Sequence, residues 1–375
     1  MKKSIAAFDA ILTSHISFLT SAYMKYAIAT FAVILISHIS HLTSAFAQDV
    51  HFSQFNETPQ LINPGAAGST NGMIRGIVNY KNQWSAMGNA FNTVAASVDM
   101  PLFDSKQNKA HMGAGLNFFS DKAGESKFGL TQVNLCLAGI VPVADNSTFS
   151  LGLSLGFAQH KANLNVLTWG SQYDGSGFNT AINSNETTPS NSFMYADIGA
   201  GMQYEYSNGK STVDRSEQKR FAVGVSYFHL NRPEQKYFSV SDKLFGKLVV
   251  NVSGHFDKEG TNYSFIPSAI YYKQGPSSEC MIGGALRYRI KKASRVTGFI
   301  NESAMAFGLH YRVKDAIVPQ FYFELSSLAI GVSYDITVST YNQAAKYKGG
   351  PEISLKYGLK KPKNMGMSQR SAIKL

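Results

Sequence analysis

Leu151-Gly152-Leu153-Ser154-Leu155-Gly156-Phe157-Ala158 decides the fold. Large apolar residues take every second position, and glycine, serine or alanine fills the gaps. A β-strand sends successive side chains to opposite faces, so this octet has one greasy face and one small, polar face. Phe221, Val223, Val225 and Tyr227 alternate in the same way with Ala222, Gly224 and Ser226, and Ile353, Leu355 and Tyr357 with Glu352, Ser354 and Lys356. The pattern recurs to the end of a 375-residue chain.

Fourteen alternating stretches are predicted, near 73–80, 92–100, 111–120, 127–140, 148–160, 194–207, 219–230, 246–256, 263–273, 279–290, 303–313, 317–325, 327–338 and 350–359. An even number suits an antiparallel bacterial barrel with both ends in the periplasm. The expected fold is therefore all-β, a transmembrane antiparallel barrel of about 14 strands. Closure is required because lipid offers no hydrogen bonds to a strand edge. The longest connections, 161–193 and 231–245, then fall on the extracellular side, while Pro142–Ser147 and Asp257–Asn262 are short periplasmic turns.

Composition agrees. Charged residues are 16%, below the quarter usual for soluble domains, and 44 of the 46 aromatic residues are Tyr or Phe. A mean hydropathy of −0.12 is what a polar lumen face and a lipid face give together.

Residues 24–47 read as a secretory signal peptide: Lys25, an apolar core from Tyr26 to Ile36, then Ala45-Phe46-Ala47 as the cleavage site. Residues 1–23 repeat this leader, with 15 of 23 positions identical at an offset of 23. Translation starts at Met1 or Met24. The domain reading is a removed leader (1–47), a periplasmic lead-in segment (48–72), a barrel (73–359) and a basic tail (360–375). Outer-membrane localisation follows, with cleavage after Ala47. Losing three lysines and one aspartate with the leader lowers the formal charge from +11 to +9. The basic residues are scattered except for Lys360, Lys361 and Lys363, so no nucleic-acid partner is expected.

Candidate chemistry is sparse. Gly152-Leu153-Ser154-Leu155-Gly156 fits G-x-S-x-G, but a nucleophile elbow needs a strand-to-helix turn and this motif lies within a strand. Gly113-Ala114-Gly115 and Gly199-Ala200-Gly201 open no helix, so they read as sites of bending or close approach rather than phosphate loops. His51, His111, His160, His229, His255 and His310 lack metal-ligand spacing, and neither metal nor cofactor is expected. A barrel hydrolase could use His255 with Ser253, or His160, yet nothing singles out a triad. Cys136 and Cys280 have opposite strand parities, which argues for two unpaired thiols.

Several ordered blocks resemble one family. They are Asp49-Val50-His51-Phe52-Ser53-Gln54-Phe55 with Leu61-Ile62-Asn63-Pro64-Gly65-Ala66-Ala67-Gly68, Asn79-Tyr80-Lys81-Asn82-Gln83-Trp84, and Ser97-Val98-Asp99-Met100-Pro101-Leu102. Further on come Ser120-Asp121-Lys122-Ala123-Gly124, Phe228-His229-Leu230-Asn231-Arg232-Pro233, Gly331-Val332-Ser333-Tyr334-Asp335 and Gly349-Gly350-Pro351-Glu352-Ile353-Ser354-Leu355-Lys356-Tyr357. Together they resemble PorP/SprF, outer-membrane proteins of the type IX secretion system of Bacteroidetes. The resemblance implies a non-enzymatic barrel that supports secretion or surface anchoring of large cargo, gliding adhesins among them, by binding the cargo's type IX C-terminal domain. Implied partners are that cargo, periplasmic machinery components and outer-membrane lipid. The motif residues it marks as candidate contacts are Asn63, Pro64, Trp84, Asp99, Pro101, Arg232, Pro233, Tyr334, Asp335, Gly349 and Gly350. A general porin or small-molecule channel is the alternative.

Overall fold

The computed structural model describes residues 49–70, 73–83, 91–103, 110–163, 166–185, 192–208, 219–237, 240–258, 260–291, 303–339 and 346–359. The leader, Trp84 and the basic tail lie outside the described residues. Among the described residues sixteen strands occur in chain order: β1 (Ile74–Gln83), β2 (Phe91–Leu102), β3 (His111–Ala123), β4 (Phe128–Ala144), β5 (Ser147–Lys161), β6 (Ser192–Ser207), β7 (Lys219–Phe228) and β8 (Glu234–Tyr237). There follow β9 (Val240–Lys243), β10 (Lys247–Asp257), β11 (Tyr263–Gln274), β12 (Ser277–Lys291), β13 (Ser303–Arg312), β14 (Ala316–Leu325), β15 (Leu328–Thr337) and β16 (Lys348–Leu359).

Fourteen of these close into one barrel, and β8 and β9 form a separate two-stranded hairpin. Each barrel strand pairs with its neighbour in sequence, and β1 closes on β16 with Ile74 opposite Leu359 and Lys81 opposite Glu352. The hairpin was missed in the sequence because four residues are too few to show alternation.

The faces are those the alternation predicts. Leu151, Leu153, Leu155 and Phe157 are 57%, 59%, 55% and 70% exposed on the outer wall, whereas Gly152, Ser154 and Gly156 face inward. Exposed aliphatic and aromatic side chains recur on every barrel strand, which makes the outer wall a lipid-facing surface. The inward positions carry the buried polar groups. Cys136 is buried and Cys280 partly exposed, and neither is in a disulfide.

Strands of odd order begin at one rim through β7, so β1 enters at Ile74 and reaches the opposite rim at Gln83. The Gln83 rim bears the 162–191 and 229–246 connections and is termed the loop rim. The other is the turn rim.

The lead-in segment has a course that the sequence left open. Residues 49–68 do not stand ahead of the barrel but run through its lumen. Pro59 and Pro64 and the Asn63 turn break any alternation, so the segment folds as short turns of helix: Phe55–Glu57, Pro59–Ile62 and Pro64–Ala66. Phe55 and Ile62 bury against Val249, Ile270, Tyr272, Met281, Ala316 and Val318 of the wall. Phe52 buries against Ala95 and Phe119, and Ala67 against Cys136 and Ala138. The segment starts at the loop rim, where the Asp49 N–H bonds to Gln274 at 3.0 Å, and reaches β1 at the turn rim, where the Met73 N–H bonds to the Leu359 carbonyl at 2.7 Å.

Candidate functional site

The lumen plug is held at four levels. Nearest the loop rim, His229 stands just past β7 between two carboxylates, 2.6 Å from Asp49 and 2.8 Å from Asp197. Lys247 adds a cation 3.5 Å from Asp49. Burial disfavours the imidazolium, but the Asp49 and Asp197 carboxylates outweigh it and raise His229 to about 9. Burial likewise opposes ionisation of Asp49, yet His229 and Lys247 hold its carboxyl well below the usual range.

The second level uses the closing strands. Glu352 accepts the N–H groups of Ser53 (2.7 Å) and Gln54 (2.9 Å). The Ser53 hydroxyl donates to Asp335 (2.6 Å), and Arg312 bonds to the same Asp335 carboxylate (2.9 Å). Lys81 lies 3.6 Å from Asp335. Gln54 reaches Ser333 and the Glu352 carbonyl, and Gln320 donates to the Ser53 carbonyl. Arg312, Lys81, Asp335 and Glu352 are all buried, so charge is matched by charge where water is absent.

At the third level Asn63-Pro64-Gly65 lies against a patch of glycines. The Asn63 amide donates to the Met202 carbonyl (2.9 Å), and the Ser150 hydroxyl donates to the Gly65 carbonyl (2.7 Å). The Asn63 side chain also accepts the Gly65 N–H at 2.8 Å, which fixes the turn. A Cβ on Gly201 would strike Asn63, and one on Gly152 would strike the Pro64 and Gly65 backbone. Here glycine is required by close approach.

At the fourth level, near the turn rim, Arg75 of β1 grips Asp99 of β2 with two bonds of 2.8–2.9 Å, and Oδ2 of that carboxylate also accepts the Gly68 N–H at 2.8 Å. Gly68 has φ +71 and leaves no room for a Cβ beside Gly113.

Four marked residues therefore act on the plug or belong to it: Asn63, Pro64, Asp99 and Asp335. Gly349 and Gly350 pack against the Asp335 and Asn82 backbones and let the last strand close. Pro101 sits half-buried in β2 opposite Gly113. Tyr334 turns the other way, 39% exposed on the lipid face. Arg232 is exposed and Pro233 buried at the base of the β8–β9 hairpin, where the Pro233 carbonyl accepts the Leu244 N–H. Trp84 lies outside the described residues. Sequence reasoning did not single out Arg312 or His229. The available signal for Arg312 was a lone cation on the inward parity of β13, shared with Ala304, Ala306 and His310.

The hydrolase candidates do not assemble as proposed. His255 points its Nε2 at Asp257 (3.0 Å), and His160 stacks on Phe193 with Tyr195 alongside. Among the described residues no cluster of His, Cys, Asp and Glu could hold a metal. Beside the plug a cavity of about 340 Å³ is lined by Glu57, Arg75, Glu205, Arg220, His310 and Lys356 with others.

Solved structures with a similar fold include a FadL homologue of Pseudomonas aeruginosa, at 11% identity over 79% of this chain and 92% of that one, with a TM-score of 0.40. BamA of Haemophilus ducreyi lacking POTRA domains 1–3 aligns at 11% identity over 76% and 70% of the two chains (TM-score 0.39). CdiB of Acinetobacter baumannii aligns at 7% identity over 76% and 60% (TM-score 0.37). No curated protein matches the chain in sequence. Residues 44–357 match the family described as type IX secretion system membrane protein PorP/SprF. With that span, nearly the whole barrel and its plug, the chain belongs to the PorP/SprF family of type IX secretion system membrane proteins.

Proposed function

We propose that this protein is a plugged outer-membrane barrel that supports secretion or surface anchoring of large cargo by binding the cargo's type IX C-terminal domain outside the cell. The observation that carries this reading is the plug. A lumen crossed by residues 49–68, tied by buried ion pairs and by backbone hydrogen bonds at several heights, suits a rigid docking body better than a diffusion pore. The cargo surface in this reading is the loop rim, with the 161–193 and 231–245 connections. Periplasmic machinery meets the turn rim in this reading, and the lumen between the two rims keeps a cavity beside the plug. The chemistry is recognition, not catalysis, and export relies on the leader being cleaved after Ala47.

The porin alternative makes an opposite demand. Purified barrel in a planar bilayer would conduct steadily if it were a porin, whereas the anchor reading expects no steady current. An affinity pull-down from detergent-solubilised outer membranes completes the test. Recovery of a secreted protein bearing a type IX C-terminal domain, together with periplasmic components, is expected; steady conductance without such recovery would overturn the reading.

A further inference from the structure

The connection between β5 and β6 differs in chemistry from the rest of this basic chain. Over residues 166–185 its only charged side chain is Asp174; the remainder is Asn, Gln, Ser, Thr, Gly and apolar or aromatic residues. Asp174 is used internally. Its carboxylate accepts the Ser176 N–H (2.9 Å), the Ser176 hydroxyl (2.8 Å) and the Gly177 N–H (3.0 Å), and these bonds hold the carboxyl below its ordinary value. The loop is thus ordered by its own atoms. Gln172 donates to the Ile182 carbonyl (3.0 Å) and accepts the Trp169 N–H (3.1 Å), and Ser171 donates to the Ser184 carbonyl (2.6 Å). Tyr173 and Phe178 form an antiparallel bridge across the tip.

What this frame presents is a pair of rings. Tyr173 and Phe178 touch edge to face at 5.5 Å and 66°, and they are 54% and 58% exposed. The Tyr173 hydroxyl is tied back to the Gly175 carbonyl (3.2 Å), which limits the ring's freedom. Rigid aromatics surrounded by Ser, Gly and Asn are the composition of protein-binding loops, since two χ angles cost little entropy and the small polar groups adapt. Aromatic side chains also dominate binding hot spots. A ring pair at 66° makes a wedge for a pocket, not the flat platform on which a sugar ring would lie.

We propose that Tyr173 and Phe178 form the anchor by which this barrel holds a folded protein domain at its loop rim, inserting as a wedge into an uncharged apolar pocket of that domain. This deepens the secretion-anchor reading and rests on it. Because Asp174, the one charge over residues 166–185, is bonded within the loop and the two rings carry none, the contact is insensitive to salt.

The test titrates a purified type IX C-terminal domain against the full barrel in lipid nanodiscs. The wild type is compared with Tyr173→Ser/Phe178→Ser, and with Lys258→Glu, an exposed site just past β10 at the turn rim, as a charge control. All three are first checked for a heat-modifiable barrel band. The aromatic double variant should weaken binding by about 100-fold. The Lys258→Glu variant and a tenfold rise in salt should each change it by less than about threefold. Wild-type binding that the aromatic variant retains would overturn the anchor while leaving the secretion reading intact. No wild-type binding would overturn both. Binding that collapses in salt, or aromatic-dependent binding of purified surface polysaccharide in place of the domain, would also overturn it.

Discussion

Glu352 in the closing strand accepts the backbone N–H of Ser53 at 2.7 Å across a sequence separation of 299 residues. Its other oxygen accepts the next N–H, from Gln54, at 2.9 Å. One side chain thus ties the last strand of the barrel to the segment that precedes the first. Barrel closure and plug seating are consequently linked, because β16 must pair with β1 for Glu352 to stand beside Ser53.

Removing that side chain should loosen the upper half of the plug without opening the wall. Glu352→Ala deletes two buried acceptor contacts and leaves two backbone donors without partners, at a cost of about 2–4 kcal/mol. In a planar bilayer the variant should show brief conductance steps absent from the wild type, with Glu352→Gln intermediate since it keeps one acceptor. A silent Glu352→Ala barrel would show that the glycine patch and Asp99 hold the plug unaided.

The glycine patch is tested separately. A Cβ on Gly201 would overlap Asn63 and press on Pro64, whereas the outer wall at this position is open to lipid. Gly201→Val should therefore leave a membrane-inserted, heat-modifiable barrel but unseat the Asn63-Pro64 turn, costing about 1–3 kcal/mol through overpacking. Limited proteolysis should then cut within residues 49–68, which the wild type protects. Equal protection in both would mean the wall can shift to accept the side chain.

The barrel was legible in the sequence because period-two alternation is a direct imprint of a two-sided sheet. Leu151–Ala158 needs no partner to declare its faces, and all fourteen barrel strands fall where alternation placed them. The plug was legible only as a break in that pattern. A segment without periodicity does not say whether it lies in a lumen or beside one, and the bonds that seat it join residues up to 300 positions apart. Its footprint was present, however: Gly113, Gly152, Gly201 and Gly224 sit on the inward parity because the plug backbone or Asn63 comes too close for any side chain. Asp99 and Asp335 were visible as motif residues, but their partners were not: Arg75 reads as an ordinary strand residue until the register sets it opposite Asp99, and Arg312 reaches Asp335 only across the intervening β14.

The loop-rim fastening should respond to alkali. His229 is raised from 6.5 to about 9 by Asp49 and Asp197 despite its burial. A raised value means the stabilisation is fully present below pH 6.5 and is lost as pH climbs through about 9, on the order of 3 kcal/mol in all. Asp49 is depressed, so its share is fully present above pH 3.8 and declines only as pH falls below that, leaving the alkaline loss to His229. Hydrogen exchange of the first lumen residues, followed from pH 6 to 10 at matched intrinsic rates, should show protection falling on the alkaline side. Asp49→Asn should flatten that fall; an unchanged profile would mean His229 does not govern the fastening.

The plug also makes an unusual demand on topology. Its Asp49 end lies beside Gln274, His229 and Lys247 at the loop rim, while its Gly68 end lies beside Asp99 toward the turn rim. If the loop rim faces outward, Asp49 stands at the cell-surface end of the lumen although β1 begins on the periplasmic side. A membrane-impermeant maleimide on intact cells should then label Asp242→Cys in the β8–β9 hairpin and also Gln48→Cys. Thr261→Cys, in the short turn between β10 and β11, should react only after the outer membrane is permeabilised. Labelling of Thr261→Cys but not Asp242→Cys on intact cells would invert the barrel. Labelling of Asp242→Cys with Gln48→Cys protected until permeabilisation would keep the orientation and refute the rim-to-rim path of the plug.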